Sequence, residues 1–181
     1  LLIKVAEQSI KESENAKNPF ASKNVSTVEN VVFEFNFSGK ENVIVHHKFQ
    51  GNSVFPGAGY IAMAIQAGKQ ALGIEVFPMV KNVKLLRSLT LVGSPFCLRV
   101  FIKELDGIVS FSISDSLDEK IVYCKGKLLK SNVTKTQISK NEVSFDLSLN
   151  SKEVYQSFFD NGMQYGSSFQ LIEQLSGTKL E

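Results

Sequence analysis

The chain has 181 residues, 43% of them apolar, with 20 basic against 18 acidic side chains; this suits one globular domain or one and a fraction. The near-balance of charge, with the basic residues scattered along the sequence, gives no electrostatic case for nucleic acid or an anionic membrane as partner. Cys97 and Cys124 lie far apart without metal-ligand or CxxC spacing, no secretory signal opens the chain, and no apolar run nears ~18 residues, so a cytoplasmic protein without a metal site is expected.

Residues 1–17 are polar and charged and read as a linker, with Asn18-Pro19 as the opening turn. From Val31 the apolar residues alternate, and Phe33, Phe35 and Phe37 fall on one face of a half-buried strand, where core packing is the leading role for them. Alternation resumes from Asn42 to Gln50, which predicts a second strand with Val43, Val45, His47 and Phe49 on one face and His46 turned to solvent or an edge. Gly57 to Leu72 holds no charge except Lys69, and its Ala, Ile and Met content predicts a buried helix that Pro56 opens at its first position. Strands are expected at Val80–Leu91, Phe96–Leu105, Ile108–Ser114 and Ile121–Lys130, with Asp106-Gly107 as a hairpin turn. Antiparallel strands around one long, nearly chargeless helix predict an α+β hot-dog unit over residues 18–130. A polar linker over 131–141 then leads into the start of a second unit over 142–181, with a strand at Val143–Leu149. A helix at Ser151–Asp160 would follow, capped by Ser151, with Val154, Phe158 and Phe159 inward.

The segment carrying chemistry runs from His47 to Gly57. An imidazole facing apolar space is favoured in its neutral, proton-accepting form. Gly51 permits a bulge or a close backbone approach by a ligand. The free N–H groups that follow Pro56 form a partly positive helix end, able to hydrogen-bond a thioester carbonyl as enolate charge develops. A base beside an oxyanion site is what removal of a proton α to a carbonyl requires. On spacing alone, however, a lone histidine on an apolar face is as readily a satisfied core residue.

The string Phe-Glu-Phe-Asn-Phe-Ser-Gly at 33–39, the spacing His47-xxx-Gly51-xxxx-Pro56 and Gly162-Met-Gln-Tyr165-Gly166-Ser-Ser-Phe169 occur in that order. Together they resemble the dehydratase domains of polyketide synthases, especially the trans-acyltransferase type, built as a double hot-dog. The resemblance implies that His47 is the catalytic base and that Gly51, Pro56, Gly57, Tyr165 and Gly166 belong to the substrate and oxyanion site. The reaction implied is loss of water from a β-hydroxyacyl thioester during polyketide chain assembly. It implies no cofactor of the domain's own, a substrate borne on the phosphopantetheine of an acyl carrier protein, neighbouring synthase domains as partners, and a homodimer. Ser167 replaces the family's proline, and Asn18 its opening histidine. The family's catalytic aspartate falls beyond residue 181, and no acid stands between Gly57 and Ile74; Ala62 occupies the place where single hot-dog dehydratases carry one. The 181 residues by themselves are therefore expected to be inactive. Double-bond isomerisation, cyclisation, product templating and a non-catalytic acyl-binding or scaffold role remain as alternatives on the same fold.

Overall fold

The structure is a computed structural model that describes residues 18–73, 77–91, 93–131 and 147–177. The expected leading linker 1–17, nearly all of the linker 131–141 and the start of the strand expected at Val143 lie outside the described residues.

Strand β1 (Ser22–Asn24) pairs with β2 (Val31–Phe37), whose alternation works as predicted: Phe33, Phe35 and Phe37 are at most 2% exposed. Each of these rings contributes about 1.5–3 kcal/mol on burial. Next come α1 (Asn42–Val45), β3 (His47–Phe49), β4 (Asn52–Val54) and α2 (Gly57–Leu72). Strands β5 (Phe77–Leu85), β6 (Thr90–Leu91), β7 (Phe96–Leu105), β8 (Ile108–Asp115) and β9 (Val122–Ser131) follow. The main sheet is antiparallel in the order β1-β2-β7-β8-β9-β5. Asp106 and Gly107 join β7 to β8 with φ of 51° and 73°; two positive φ values are what a type I′ hairpin turn demands.

Helix α2 lies against this sheet and buries Tyr60, Met63, Ala64 and Ala67 on Phe33, Phe35, Leu98, Val100, Ile113 and Leu128. Small residues let the helix approach closely. A Cβ on Gly59 would meet the Phe55 ring at 2.7 Å. A sheet curved around one buried helix is the hot-dog arrangement that the sequence predicts.

Three expectations change. Asn42–Val45 is a helical turn rather than a strand, because the Glu41 carbonyl accepts from Ile44 and Val45 at 2.8 and 3.0 Å while its carboxylate holds the preceding turn. The buried residue there is Ile44, not Val43 or Val45, and Phe49 is 42% exposed. The strand expected over Val80–Leu91 ends at Leu85; the chain leaves the main sheet, and β6 pairs with β4 in a second sheet that also contains β3. Pro56, with φ −71° and ψ 142°, caps α2 from outside instead of occupying its first turn.

The C-terminal part contributes β10 (Leu147–Asn150), α3 (Ser151–Asp160), β11 (Met163–Tyr165), a 3₁₀ turn (Ser167–Phe169) and β12 (Gln174–Gly177). Strand β11 pairs with β3, so this part is hydrogen-bonded to the first unit. The cap of α3 is Asn150, not Ser151: its side chain accepts from the Glu153 N–H at 3.1 Å while the Glu153 carboxylate accepts from the Asn150 N–H at 2.8 Å, a capping box. Val154 is buried and Phe158 half-buried, but Phe159 is 56% exposed.

Candidate active site

His47 opens β3, and the chain reverses two residues beyond that three-residue strand. Gln50 and Gly51 carry φ of 48° and 83°, giving a two-residue hairpin turn that pairs Lys48 with Ser53 and Phe49 with Asn52. Gly51 thus makes a turn rather than a bulge, and it is exposed. The hairpin returns Val54 beneath His47, whose Nδ1 lies 2.8 Å from the Val54 carbonyl oxygen. A carbonyl can only accept, so the imidazole proton sits on Nδ1. In the neutral ring the lone pair is then on Nε2.

His47 lines a cleft of about 340 Å³ together with Phe55, Gly57, Tyr60 and residues 85–88. Gly57 opens α2 against this cleft, and a Cβ there would press on Leu85 Cδ1 at 2.9 Å. First-turn N–H groups have no acceptor within the helix. The Gly59 N–H is taken by the Pro56 carbonyl at 2.9 Å, which leaves those of Gly57 and Ala58 at the helix end. His47 and the helix end at Gly57 therefore line one space.

The late motif packs on the His47 ring without lining the cleft itself. Register pairs Tyr165 with His47, the ring centroids lie 5.7 Å apart, and Phe169 stands 5.3 Å from the imidazole. Tyr165 and Phe169 stack on each other at 5.8 Å. Two braces hold this aromatic pair. The Tyr155 hydroxyl donates to the Phe169 carbonyl at 3.0 Å and accepts from the Ile172 N–H at 2.9 Å. His46, expected at an edge or in solvent, accepts the Gly166 N–H on its carbonyl at 2.8 Å and places Nδ1 2.9 Å from Ser168 Oγ. Gly166 serves close packing, since a Cβ there would run into the His46 ring.

Of the six residues singled out by sequence, His47 and Gly57 share the cleft and Pro56 caps the helix beside it. Tyr165 packs on the His47 ring but, with Gly166, lines a neighbouring hollow rather than the cleft, while Gly51 supports the site only through the turn. Phe169, Tyr155 and His46 were missed as contributors; the first lay inside the quoted motif, whereas the braces become visible only once β11 pairs with β3. Tyr60 was also missed. Its hydroxyl is buried at the cleft without a hydrogen-bond partner, and burial, with smaller contributions from Tyr123 and Cys124, pushes its ionisation above the usual phenol range. Among the described residues no three His, Cys, Asp or Glu side chains gather as metal ligands, and no helix is long and apolar enough to cross a membrane. Burial pushes the Cys124 thiol up to about 11, which keeps it protonated inside the core.

Residues 18–116, more than half of the chain, match the sequence model of a family described as the polyketide synthase dehydratase domain. The chain belongs to the polyketide synthase dehydratase family. Polyketide synthase PksM of Bacillus subtilis is 27% identical over 172 residues, covering 87% of this chain and 4% of that synthase. A trans-AT polyketide synthase dehydratase domain from Brevibacillus brevis superposes with a TM-score of 0.79 at 23% identity, over 88% of this chain and 64% of that one. The CurK dehydratase of the curacin synthase superposes with a TM-score of 0.75 at 20% identity, over 89% of this chain and 62% of that one. It has been solved both as an inactive aspartate-to-asparagine mutant and as an inactive histidine-to-phenylalanine mutant. The dehydratase-family chain thus spans under two thirds of these solved domains and a small fraction of the curated synthase.

Proposed function

We propose that this chain supplies the base-bearing half of a dehydratase acting on β-hydroxyacyl thioesters carried by an acyl carrier protein, in a synthase of the trans-acyltransferase type. The observation that carries the reading is the bond from His47 Nδ1–H to the Val54 carbonyl at 2.8 Å. It leaves Nε2 as the basic atom of a ring fixed beside the helix end at Gly57. Nε2 takes the proton on the carbon α to the thioester carbonyl, and charge builds on the carbonyl oxygen. The first-turn N–H groups of α2 stabilise that charge. The enolate then expels the β-hydroxyl, which departs as water once a proton reaches it, leaving the α,β double bond.

The proton donor comes from the part of the domain that the solved relatives have and this chain does not span. The inactive aspartate and histidine mutants of CurK support a two-residue acid–base arrangement of this kind. Phosphopantetheine on the carrier presents the thioester; the dehydratase itself uses no cofactor in this reading. The test is His47→Ala in the full-length domain, followed by mass spectrometry of the carrier-bound chain for loss of water. Dehydration should fall at least 10²–10⁴-fold with the fold intact. Turnover within a fewfold of wild type would overturn the assignment.

A further inference from the structure

The basic residues, scattered in sequence, gather in the structure. Register places Lys103, Ser110, Lys127 and Lys81 in one row across β7, β8, β9 and β5, and Phe101, Ser112, Lys125 and Lys84 in the next. All five lysines are exposed, opposite the face that packs on α2. Lys81 and Lys84 are an odd number apart and would point to opposite faces of a regular strand. A bulge between them, with Asn82 at φ 53°, turns both outward. Lys81 then stands directly across from Lys127, and Lys84 from Lys125.

Like charges in direct cross-strand register are destabilising. No ion pair relieves them: among the described residues both salt bridges belong to Arg99, which engages the nearby Glu34 and Glu119 at 2.8 and 2.9 Å. A hollow of about 790 Å³ on this face is lined by Lys103, Lys125 and Lys127, with Glu29 and Glu104 as its carboxylates. Beyond the lysine rows the same face exposes a band of Leu105, Ile108, Leu129 and Met79, between 36% and 63% accessible. At the other end Lys84 adjoins Leu85, where the wall of the His47 cleft begins, and Arg87 carries the positive charge to the cleft itself.

We propose that this outer face of β5, β7, β8 and β9 is the docking surface for an acidic protein face with apolar contacts, that of the carrier protein delivering the thioester. The inference rests on the dehydratase reading above. Five unpaired ammonium groups supply the charge complement and the apolar band supplies dry contact. Continuity with Arg87 puts the docked carrier at the mouth of the cleft.

The test is the double variant Lys81→Glu/Lys125→Glu in the full-length domain, titrated with phosphopantetheine-loaded acyl carrier protein. Binding should weaken at least about tenfold and should already decline for wild type between ~0.05 and ~0.5 M salt. The melting temperature should hold or rise, because each change sets opposite charges across β5 and β9. Lys23→Glu on β1 should leave binding unchanged. Equal binding by the double variant, no carrier binding by wild type, or capture of anionic vesicles instead of carrier would each overturn the surface. Dehydration of a carrier-free acyl thioester by the same proteins reports on the dehydratase reading separately, and the double variant should leave it unchanged.

Discussion

The Val54 carbonyl settles which nitrogen of His47 is basic, and the residue next to it does a different job. His46 reaches Ser168 and receives the Gly166 N–H, so it braces the turn that sets Tyr165 and Phe169 against the His47 ring without touching the cleft. His46→Ala should therefore cost about 1 kcal/mol of stability through lost hydrogen bonds. It should reduce dehydration far less than His47→Ala; equal losses in parallel assays would refute this division. Gly166→Ala is the sharper probe, because the added methyl meets the His46 ring. A cost of about 1–3 kcal/mol is expected in denaturant unfolding, as for overpacked interiors. His47, Gly57 and Tyr165 were legible because the motif fixes their order and spacing. The roles of His46, Tyr155 and Phe169 were not, since they depend on 122-residue contacts and on pairing of β11 with β3.

Periodicity located β2, α2 and the β7–β8 hairpin because each buries one face on a single regular period. It failed at Asn42–Val45, where apolar alternation is compatible with a strand but Glu41 decides otherwise. Its carboxylate accepts from the Ser38 N–H and hydroxyl at 2.7 and 2.8 Å and from the Gly39 N–H at 3.0 Å. Burial acts to raise the Glu41 pKa, but these hydrogen bonds outweigh it and hold the group below the ordinary carboxylate value. A depressed folded pKa contributes stability that is present above the unfolded value near 4.5 and is lost as pH falls through the folded one. Glu41→Gln should thus be destabilising at neutral pH by roughly 1 kcal/mol. The gap to wild type should close as unfolding is followed downward from pH 5; a gap independent of pH would show that charge on Glu41 is immaterial. The β5 bulge is equally invisible to periodicity, since one inserted residue reverses which side chains share a face.

At the scale of the whole molecule, no carboxylic acid among the described residues lines the His47 cleft. Hydroxide is a poor leaving group, so elimination needs a proton donor as well as Nε2 of His47. The cleft is lined by His47, Val54, Phe55, Gly57, Tyr60 and residues 85–88, and none of these is a carboxylic acid. Helix α2, Gly57–Leu72, contains neither Asp nor Glu. Tyr60 is the buried alternative, yet its ionisation is pushed upward by burial, and a donor so weak is poorly matched to reaction near neutral pH. Residues 1–181 alone should therefore bind the carrier through the lysine face but leave a β-hydroxyacyl chain unchanged. Mass spectrometry of the carrier-bound chain should detect no loss of water above the rate without protein. The full-length domain, assayed alongside, should dehydrate the same substrate. Turnover by residues 1–181 that disappears in Tyr60→Phe would instead make the buried phenol the proton donor and confine the whole reaction to this chain.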